Sequence, residues 1–394
     1  MSLLSLALIV FKGCLVVYVL ALGWFILGQL RPEPPRSRAQ PSVSVIVAAR
    51  NWTRSLGPLL EQLQNQDYPP AQLECVVVDD GLSAASLARV QEAVGTAQNF
   101  KVVNSSVGGE ELAHKKRALD AGIRSSAGEI LLFTDADCQV GPGWVSSLVG
   151  YFTPATDYVV GWSRVAGRGG AAWAAEPEAA ERPLTVFEQV DFTMLMLAGR
   201  GATLMGTAWA SSGQNQAYRR RLFKSVGGFH DLAHRLGGDD ALFLQLVRRK
   251  AGARVTFASD PNSWVVTGPA QSLRLFLAQR IRWAGEAVGI VRVNPAFLVI
   301  PLATLGVNLL IIVLAVAALT RAGAVLPTLI PAVLLKAAAE ALLLTIGSRK
   351  LPLGDLRRHF PFWFLLHIPY LSVVGLASLW GNRLPWVRSG VEEV

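Results

Sequence analysis

Asp135 and Asp137 stand one residue apart, directly after a short apolar run, Ile130 to Phe133. Four to six apolar residues bounded by polar ones read as a buried strand of a parallel sheet. Ligands of open α/β sheets sit just beyond the carboxyl ends of the strands, which is where this Asp-x-Asp falls. Two carboxylates held that close raise each other's pKa unless something cationic lies between them. A divalent cation carrying phosphate groups meets that need, because Mg²⁺ takes one or two carboxylates together with phosphate oxygens. Taken alone, the pair is also what an Asx turn closing a strand would give, so its chemistry depends on what accompanies it.

Two further acidic pairs accompany it. The expected strand Cys75 to Val78 runs into Asp79-Asp80-Gly81, and Asp239-Asp240 opens an expected helix, Ala241 to Arg249. A helix dipole favours carboxylates at that end and keeps them ionised, so one held there would serve as a general base. It would equally be an ordinary helix cap. No Gly-x-Gly-x-x-Gly and no Gly-x-x-x-x-Gly-Lys follows a strand, which argues against a dinucleotide-binding Rossmann site and against a P-loop. His230 and His234 are four residues apart but lack a third ligand nearby, and read as solvated side chains. Cys14, Cys75 and Cys138 have no metal-ligand spacing and no even pairing, as expected in a reducing compartment.

The elements that must position these groups alternate. Val43 to Ala49 and Phe100 to Val103 read as strands; Leu56 to Gln66, Ala84 to Val94 and Leu112 to Ile123 read as helices between strands. That alternation predicts an α/β fold with a mostly parallel sheet and flanking helices. Beyond Asp137 a helix (Trp144 to Phe152) and a strand (Tyr158 to Trp162) are expected, then a loose Gly/Ala-rich loop to Arg182. Leu184 to Leu197 follows as a helix whose apolar faces lie on the sheet or the membrane.

Both ends of the chain are apolar. Cys14 to Leu30, with the run from Leu3, is long enough to cross a bilayer, and no small-residue cleavage site follows, so residues 1–31 read as an uncleaved anchor. Arg31, Arg36 and Arg38 put the following stretch, 32–268, in the cytosol and the N-terminus outside. Pro269 to Ile290 reads as a basic amphipathic helix for the membrane surface, with Arg274, Arg280, Arg282 and Arg292 off its apolar face; this interface segment spans 269–295. The remainder, 296–394, holds three expected spans: Phe297 to Leu319, Ala324 to Ile346 and Phe360 to Trp380. Arg349, Lys350, Arg357 and Arg358 place the loop between the last two in the cytosol, whereas Arg383 and Arg388 fit an outer tail poorly. Lys336 and Glu340, one turn apart within a span, are costly in hydrocarbon unless they pair or face a polar path for an acceptor. The net charge of +9 suits anionic lipid better than nucleic acid, since no Lys/Arg block is interleaved with aromatics.

Seven motifs occur in order: Ala48-Ala-Arg-Asn51, Val78-Asp-Asp-Gly81, Lys115-Lys-Arg-Ala-Leu-Asp-Ala-Gly-Ile123, Thr134-Asp-Ala-Asp137, Gly213-Gln-Asn-Gln-Ala-Tyr-Arg219, Gly238-Asp-Asp240 and Gln279-Arg-Ile-Arg-Trp283. From Ser42 to Trp283, and in its membrane layout, the chain resembles the membrane-bound family-2 glycosyltransferases. That group has a GT-A fold and includes cellulose, chitin and hyaluronan synthases and ceramide glucosyltransferase. The resemblance implies a nucleotide-sugar donor, a UDP-sugar by preference, and Mg²⁺ or Mn²⁺ as cofactor. Asp79 and Asp80 would lie by the nucleobase and ribose, above the strand end Ala49, Arg50 and Asn51, and Lys116 would join the donor contacts. Asp135 would contact the nucleotide and, with Asp137, the metal. Asp240 would be the general base with Asp239 beside it. Gln279, Arg282 and Trp283 would close over the diphosphate and the acceptor.

Two departures from the family pattern stand out. Trp52 occupies a place where members often have an acidic residue, and the membrane part is smaller than in the polysaccharide synthases. Inverting transfer needs one base and a metal for the leaving diphosphate, not the matched carboxylates that bracket a glycosidic bond in a hydrolase. A dry site under the interface helix would protect the donor from water. The expectation is therefore an integral membrane enzyme of a bacterial inner membrane, its catalytic part cytosolic, moving a sugar to a lipid or glycan acceptor. A processive polysaccharide synthase and a non-catalytic scaffold are the rivals.

Overall fold

In the computed structural model, residues 2–167, 182–235, 237–291, 294–320 and 325–379 are described. The chain divides into two compact units: Pro32–Ala180 with Gly206–Pro269, and Met1–Arg31 with Glu181–Met205 and Ala270–Val394.

The first unit is built on β1 (Val43–Ala49), β2 (Leu73–Asp79), β3 (Phe100–Asn104) and β4 (Ile130–Phe133). These β-branched and aromatic runs suit a doubly covered sheet, and their alternate residues form the unit's core with Leu56, Leu59, Leu60, Leu63 and Trp144. Helices α2 (Leu56–Gln64), α3 (Ala84–Val94), α4 (Lys115–Arg124) and α5 (Trp144–Val149) alternate with the strands. Further strands follow: β5 (Cys138–Val140), β6 (Tyr158–Gly161), β7 (Ser163–Val165), β8 (Gln216–Arg219), β9 (Val255–Ala258) and β10 (Val265–Thr267), with α7 (Arg220–Ser225) and α8 (Ala241–Ala251) among them. The main sheet runs β3-β2-β1-β4-β8-β6-β9, and β5-β10-β7 form a small second sheet. Among the described residues, only β8 runs antiparallel to the rest of the main sheet. The expected α/β fold with a mostly parallel sheet is therefore present.

Two differences from the expected elements bear on the site. The helix expected from Leu112 starts at Lys115, because His114 adopts a left-handed φ of 52° that cannot continue a helix. Strand β8 lies within the polar Gln216-Ala-Tyr-Arg219 stretch, which shows no apolar alternation; Gln216 and Tyr218 are buried through their hydrogen bond and ring contacts. At the far end of the sheet, Glu74 ties β1, β2 and the entry to β4 together. It accepts from Ser44 Oγ at 2.7 Å, Ala127 N at 2.5 Å and Gly128 N at 3.1 Å, and pairs with Lys101 at 2.8 Å. These bonds hold the register in which Val43 faces Leu73 on one side and Ile130 on the other.

The second unit is helical: α1 (Leu3–Leu30), α6 (Pro183–Leu204), α9 (Leu273–Val291), α10 (Val299–Thr320), α11 (Leu326–Gly347) and α12 (Phe360–Ser378). Among the described residues, four segments are long and apolar enough to cross a membrane: Leu3–Leu30, Pro295–Leu319, Leu326–Lys350 and Leu356–Ser378. The helix expected at Leu184 to Leu197, inside the 32–268 stretch, is longer and packs in this unit, against α1. A Cβ added at Gly28 would stand 2.1 Å from the Gly201 carbonyl oxygen, and one at Gly201 would stand 2.4 Å from that of Phe25. The two backbones touch, as small residues permit between membrane helices. Gln29 Nε2 donates to the Leu197 carbonyl at 2.6 Å and Arg200 donates to Gln29 Oε1 at 2.6 Å.

Lys336 and Glu340 form an ion pair of 2.7 Å, both fully buried, and the Tyr18 hydroxyl also donates to Glu340. On α9 the expected outward face is only partly outward. Arg274 is exposed, but Arg280 is 3% exposed, drawn inside by Glu188 at 3.6 Å and Asp191 at 3.5 Å from α6. The guanidinium also lies 4.3 Å from the Trp283 ring centre and 4.9 Å from that of Phe276. The expected loop up to Arg182 for its residues 168–181, and Arg292, Ala324, Trp380, Arg383 and Arg388, lie outside the described residues.

Two tests follow from these contacts. Burial alone would raise the Glu74 carboxyl, but Lys101, the two amides and Ser44 bring it down from 4.5 to about 2. A lowered folded-state pKa gives stability that is present above 4.5 and is lost as pH falls toward 2. In acid titrations followed by thermal unfolding, Glu74→Gln should flatten that loss and lower stability at pH 7. Gly201→Leu should cost about 2 kcal/mol or more through overpacking against α1, seen as a lower melting temperature in detergent, whereas substitution of exposed Leu195 on the same helix should not.

Candidate functional site

The carboxyl edge of the sheet gathers the acidic motifs of the first unit. In register, Ala49 at the end of β1 faces Asp79 at the end of β2, and Asp79 faces Asn104 at the end of β3. Asp79 is an Asx turn: Oδ1 accepts from Gly81 N at 3.0 Å and Leu82 N at 2.7 Å, and Oδ2 accepts from Asn104 Nδ2 at 3.1 Å. Its oxygens therefore shape the loop, while Asp80 is half-buried beside exposed Arg50 and Asn51. Burial raises the Asp80 carboxyl, with Asp79 adding to it, against the pull of Arg50, Ser105 and His114. His114, with its strained backbone, was not singled out in the sequence; no periodicity marks it. Trp52 packs beside Gly57, with the Arg89 guanidinium 5.9 Å from its ring centre.

Beyond β4 the chain turns sharply, the Cys138 amide donating to the Asp135 carbonyl at 3.0 Å. Thr53 Oγ1 donates to the Ala136 carbonyl at 3.1 Å and Gln139 Nε2 to the Ser55 carbonyl at 2.6 Å, so the loop after β1 clamps this turn. Ligand atoms of Asp135, Asp137 and Cys138 all lie within 4.8 Å of one another. Burial, then the charge of Asp135, raises the Asp137 carboxyl against the pull of Lys115. Burial beside the same two carboxylates pushes the Cys138 thiol up, so it stays neutral and donates to Asp137 Oδ1 at 3.6 Å.

The second acid pair meets the first through Lys115. Its Nζ lies 2.5 Å from Asp135 Oδ1 and 3.5 Å from Asp239 Oδ2. Burial would lower this ammonium, but Asp135, then Asp239 and Asp240, raise it further, so it stays charged. Asp240 caps α8: Oδ1 accepts from Ala241 N at 2.5 Å and Oδ2 from Gly213 N at 3.2 Å. Gln216 Nε2 donates to the Asp239 carbonyl at 3.1 Å. Gly213 closes over the group. A Cβ there would stand 3.2 Å from Lys115 Nζ and 3.3 Å from Asp239 Oδ2. The Gly213-Gln-Asn-Gln216 motif thus braces the acids, its fully buried Asn215 bonding to Trp144, Trp162 and Ser263.

Asp79, Asp80, Asp135, Asp137, Asp239 and Asp240 therefore share one edge of one unit. Lys116 does not join them. It is fully buried and donates to backbone carbonyls; its neighbour Lys115 is the lysine at the acids. The helical spacing could have separated the two, since Lys116 shares a face with Leu119 and Ile123. Gln279, Arg282 and Trp283 lie on α9 in the helical unit. There Arg282 pairs with Glu286 at 3.3 Å, and the Trp283 ring lies 6.0 Å from that of Phe192.

A divalent cation fits this donor set. Four carboxylates outnumber the single ammonium, the thiol is neutral, and the oxygens are the hard ligands that Mg²⁺ and Mn²⁺ take. Among the described residues, buried Asp239 Oδ2 has the Lys115 ammonium at 3.5 Å but no hydrogen-bond donor, and Gly213 leaves the space that a side chain would fill.

Residues 44–227 match the family model Glycosyl transferase family 2. An N-acetylglucosaminyltransferase of Mesorhizobium japonicum is 28% identical over 263 residues, 64% of this chain and 57% of that protein. A beta-monoglucosyldiacylglycerol synthase of Trichormus variabilis is 25% identical over 191 residues, 48% of this chain and 38% of that protein. The chain thus spans about half the length of these relatives or less. Among solved structures, a mannosyltransferase of Pyrobaculum calidifontis in complex with GDP-Man and Mn²⁺ superposes with a TM-score of 0.59 at 21% identity, covering 95% of this chain and 98% of that one. The fold is GT-A.

If the Lys115 ammonium stands where a divalent cation is favoured, Lys115→Met should tighten Mn²⁺ binding to the nucleotide-free protein by about 10-fold. Calorimetric titration reads this directly; unchanged or weaker binding would place the cation elsewhere.

Proposed function

From a chain that carries a glycosyl transferase family 2 domain, we infer an inverting transferase that moves a sugar from a nucleotide-sugar, a UDP-sugar by preference, to a lipid or lipid-linked acceptor. One observation carries the reading: two acid pairs from distant stretches, Asp135/Asp137 and Asp239/Asp240, meet around Lys115. The first pair has the character of a metal–diphosphate site and the second that of a base held at a helix start.

In this scheme Asp80, with Arg50 and Asn51, lines the nucleoside end, and Asp79 shapes the loop that presents it. Asp135 and Asp137 would hold Mg²⁺ or Mn²⁺, and the ion would supply charge stabilisation for a leaving diphosphate. Lys115, already between Asp135 and Asp239, adds a second positive charge where negative charge develops. Asp240 receives the acceptor hydroxyl proton. Two amide donors fix its carboxylate, Ala241 N on Oδ1 and Gly213 N on Oδ2. Asp239 keeps the local field negative, and Gly213 leaves the space open. Gln279, Arg282 and Trp283 are proposed to serve the diphosphate and acceptor, as in the family resembled.

A lipid acceptor is supported by the four apolar helices and by the name of the Trichormus variabilis relative. Arginines after α1 and between α11 and α12 support a cytosolic face for the catalytic unit of an integral membrane protein in a bacterial inner membrane.

With radiolabelled nucleotide-sugar and membrane lipid, Asp240→Asn should lower transfer by about 10³-fold while nucleotide affinity changes less than about threefold. Chelation by EDTA should stop transfer, and Mn²⁺ or Mg²⁺ should restore it. One discrete glycolipid is the expected product; a ladder of lengths would instead make the protein a processive synthase. Wild-type rates in both Asp137→Ala and Asp240→Asn would leave only a scaffold.

A further inference from the structure

Two adjacent lysines at the start of α4 do different things. Lys115 turns its ammonium to the carboxylates. Lys116, about 100° further round the helix, points inward and is 0% exposed. Its Nζ donates to the carbonyl of Arg235 and, at 3.2 Å, to that of Gly237.

Burying an ammonium costs several kcal/mol, and a well-packed apolar side chain of similar length is commonly as stable or more so. Packing alone therefore gives no reason for a lysine here. What the ammonium does, and methionine would not, is fix the direction of two peptide carbonyls. Those carbonyls belong to residues four and two positions before Asp239. Gly238 then takes a φ of +98°, open to glycine at little cost, and the chain enters Asp239, Asp240 and α8. Gln216 and the Gly213 amide hold the next two residues of the same segment, donating to the Asp239 carbonyl and to Asp240 Oδ2.

We propose that Lys116 is a positioning residue that anchors the backbone at Arg235 and Gly237 and so sets where the Asp239 and Asp240 carboxylates stand, without touching the donor. The first turn of α4 then links the two acid pairs: Lys115 holds Asp135 by charge, and Lys116 holds the approach to Asp240 by its backbone. The kinetic consequence rests on the reading of Asp240 as the base; the structural consequence does not.

The test uses the full-length protein in detergent, with Lys116→Met and Lys116→Gln. In Lys116→Met, hydrogen exchange in the peptide spanning residues 235–243 should quicken. Its kcat should fall by about 10- to 100-fold, the penalty for displacing a reacting group by about 1 Å, with the donor KM and the affinity for UDP with Mn²⁺ within about threefold. Lys116→Gln, which keeps an amide donor, should lie between Lys116→Met and wild type in both readouts. If Lys116→Met fails to fold, Lys116→Gln alone decides. A 10-fold rise in donor KM at unchanged kcat would make Lys116 a donor contact and overturn the proposal. A lower melting temperature with unchanged exchange and unchanged kcat would reduce it to packing. Should the wild type transfer no sugar, the functional reading falls, while the exchange comparison still decides whether Lys116 anchors the loop.

Discussion

Four carboxylates, those of Asp135, Asp137, Asp239 and Asp240, crowd around one ammonium, and the carboxyl edge of the sheet is arranged to hold that imbalance. Two like charges 4 Å apart repel by roughly 4 kcal/mol at an effective dielectric of 20. Amide donors contain part of the repulsion: Asp240 accepts from Ala241 and Gly213. The remaining excess of negative charge is what a divalent cation would relieve. Lys115 relieves part of it, through Asp135 and Asp239.

Holding carboxylates against one another requires stiff backbone, and the fold supplies it from the sheet outward. Glu74 fixes the registers of β1 with β2 and β4 at the far end, and at the near end Ala49 faces Asp79. The loop after β1 clamps the Asp135–Asp137 turn through Thr53 and Ser55. Strand β8, antiparallel to β4 and β6, brings Gly213 and Gln216 up to the second acid pair.

Much of this was legible in the sequence because it rests on local pattern. The strands Val43–Ala49 and Ile130–Phe133 and the helix Ala84–Val94 are bounded by changes of polarity that the eye finds at once, and each acidic pair marks a strand or helix end. What escaped depends on contacts between distant stretches. Strand β8 is polar along its length, and its residues are buried only because Asp239, Tyr158 and Phe133 come to meet them. Which of the two lysines lies at the acids was hidden for a related reason: both belong to one motif, and the helix start at Lys115, set by the backbone of His114, decides which one faces them. Arg280 looked outward by its charge and is inside because Glu188 and Asp191, some ninety residues earlier, wait for it.

The backbone contact between Gly28 and Gly201 has a bearing on how the protein is made. Helix α1 leaves the ribosome before α6, and the groove that receives it is completed only when α6, more than a hundred and fifty residues later, has been synthesised. Until then the Gly28 face of α1 has lipid or water for a neighbour, and the intervening sheet strands must emerge while that docking is pending. The N-terminal helix is therefore more than a tether that could be trimmed away to release a soluble enzyme. Its removal would strip α6 along a seam built for backbone contact and leave Arg200 without Gln29.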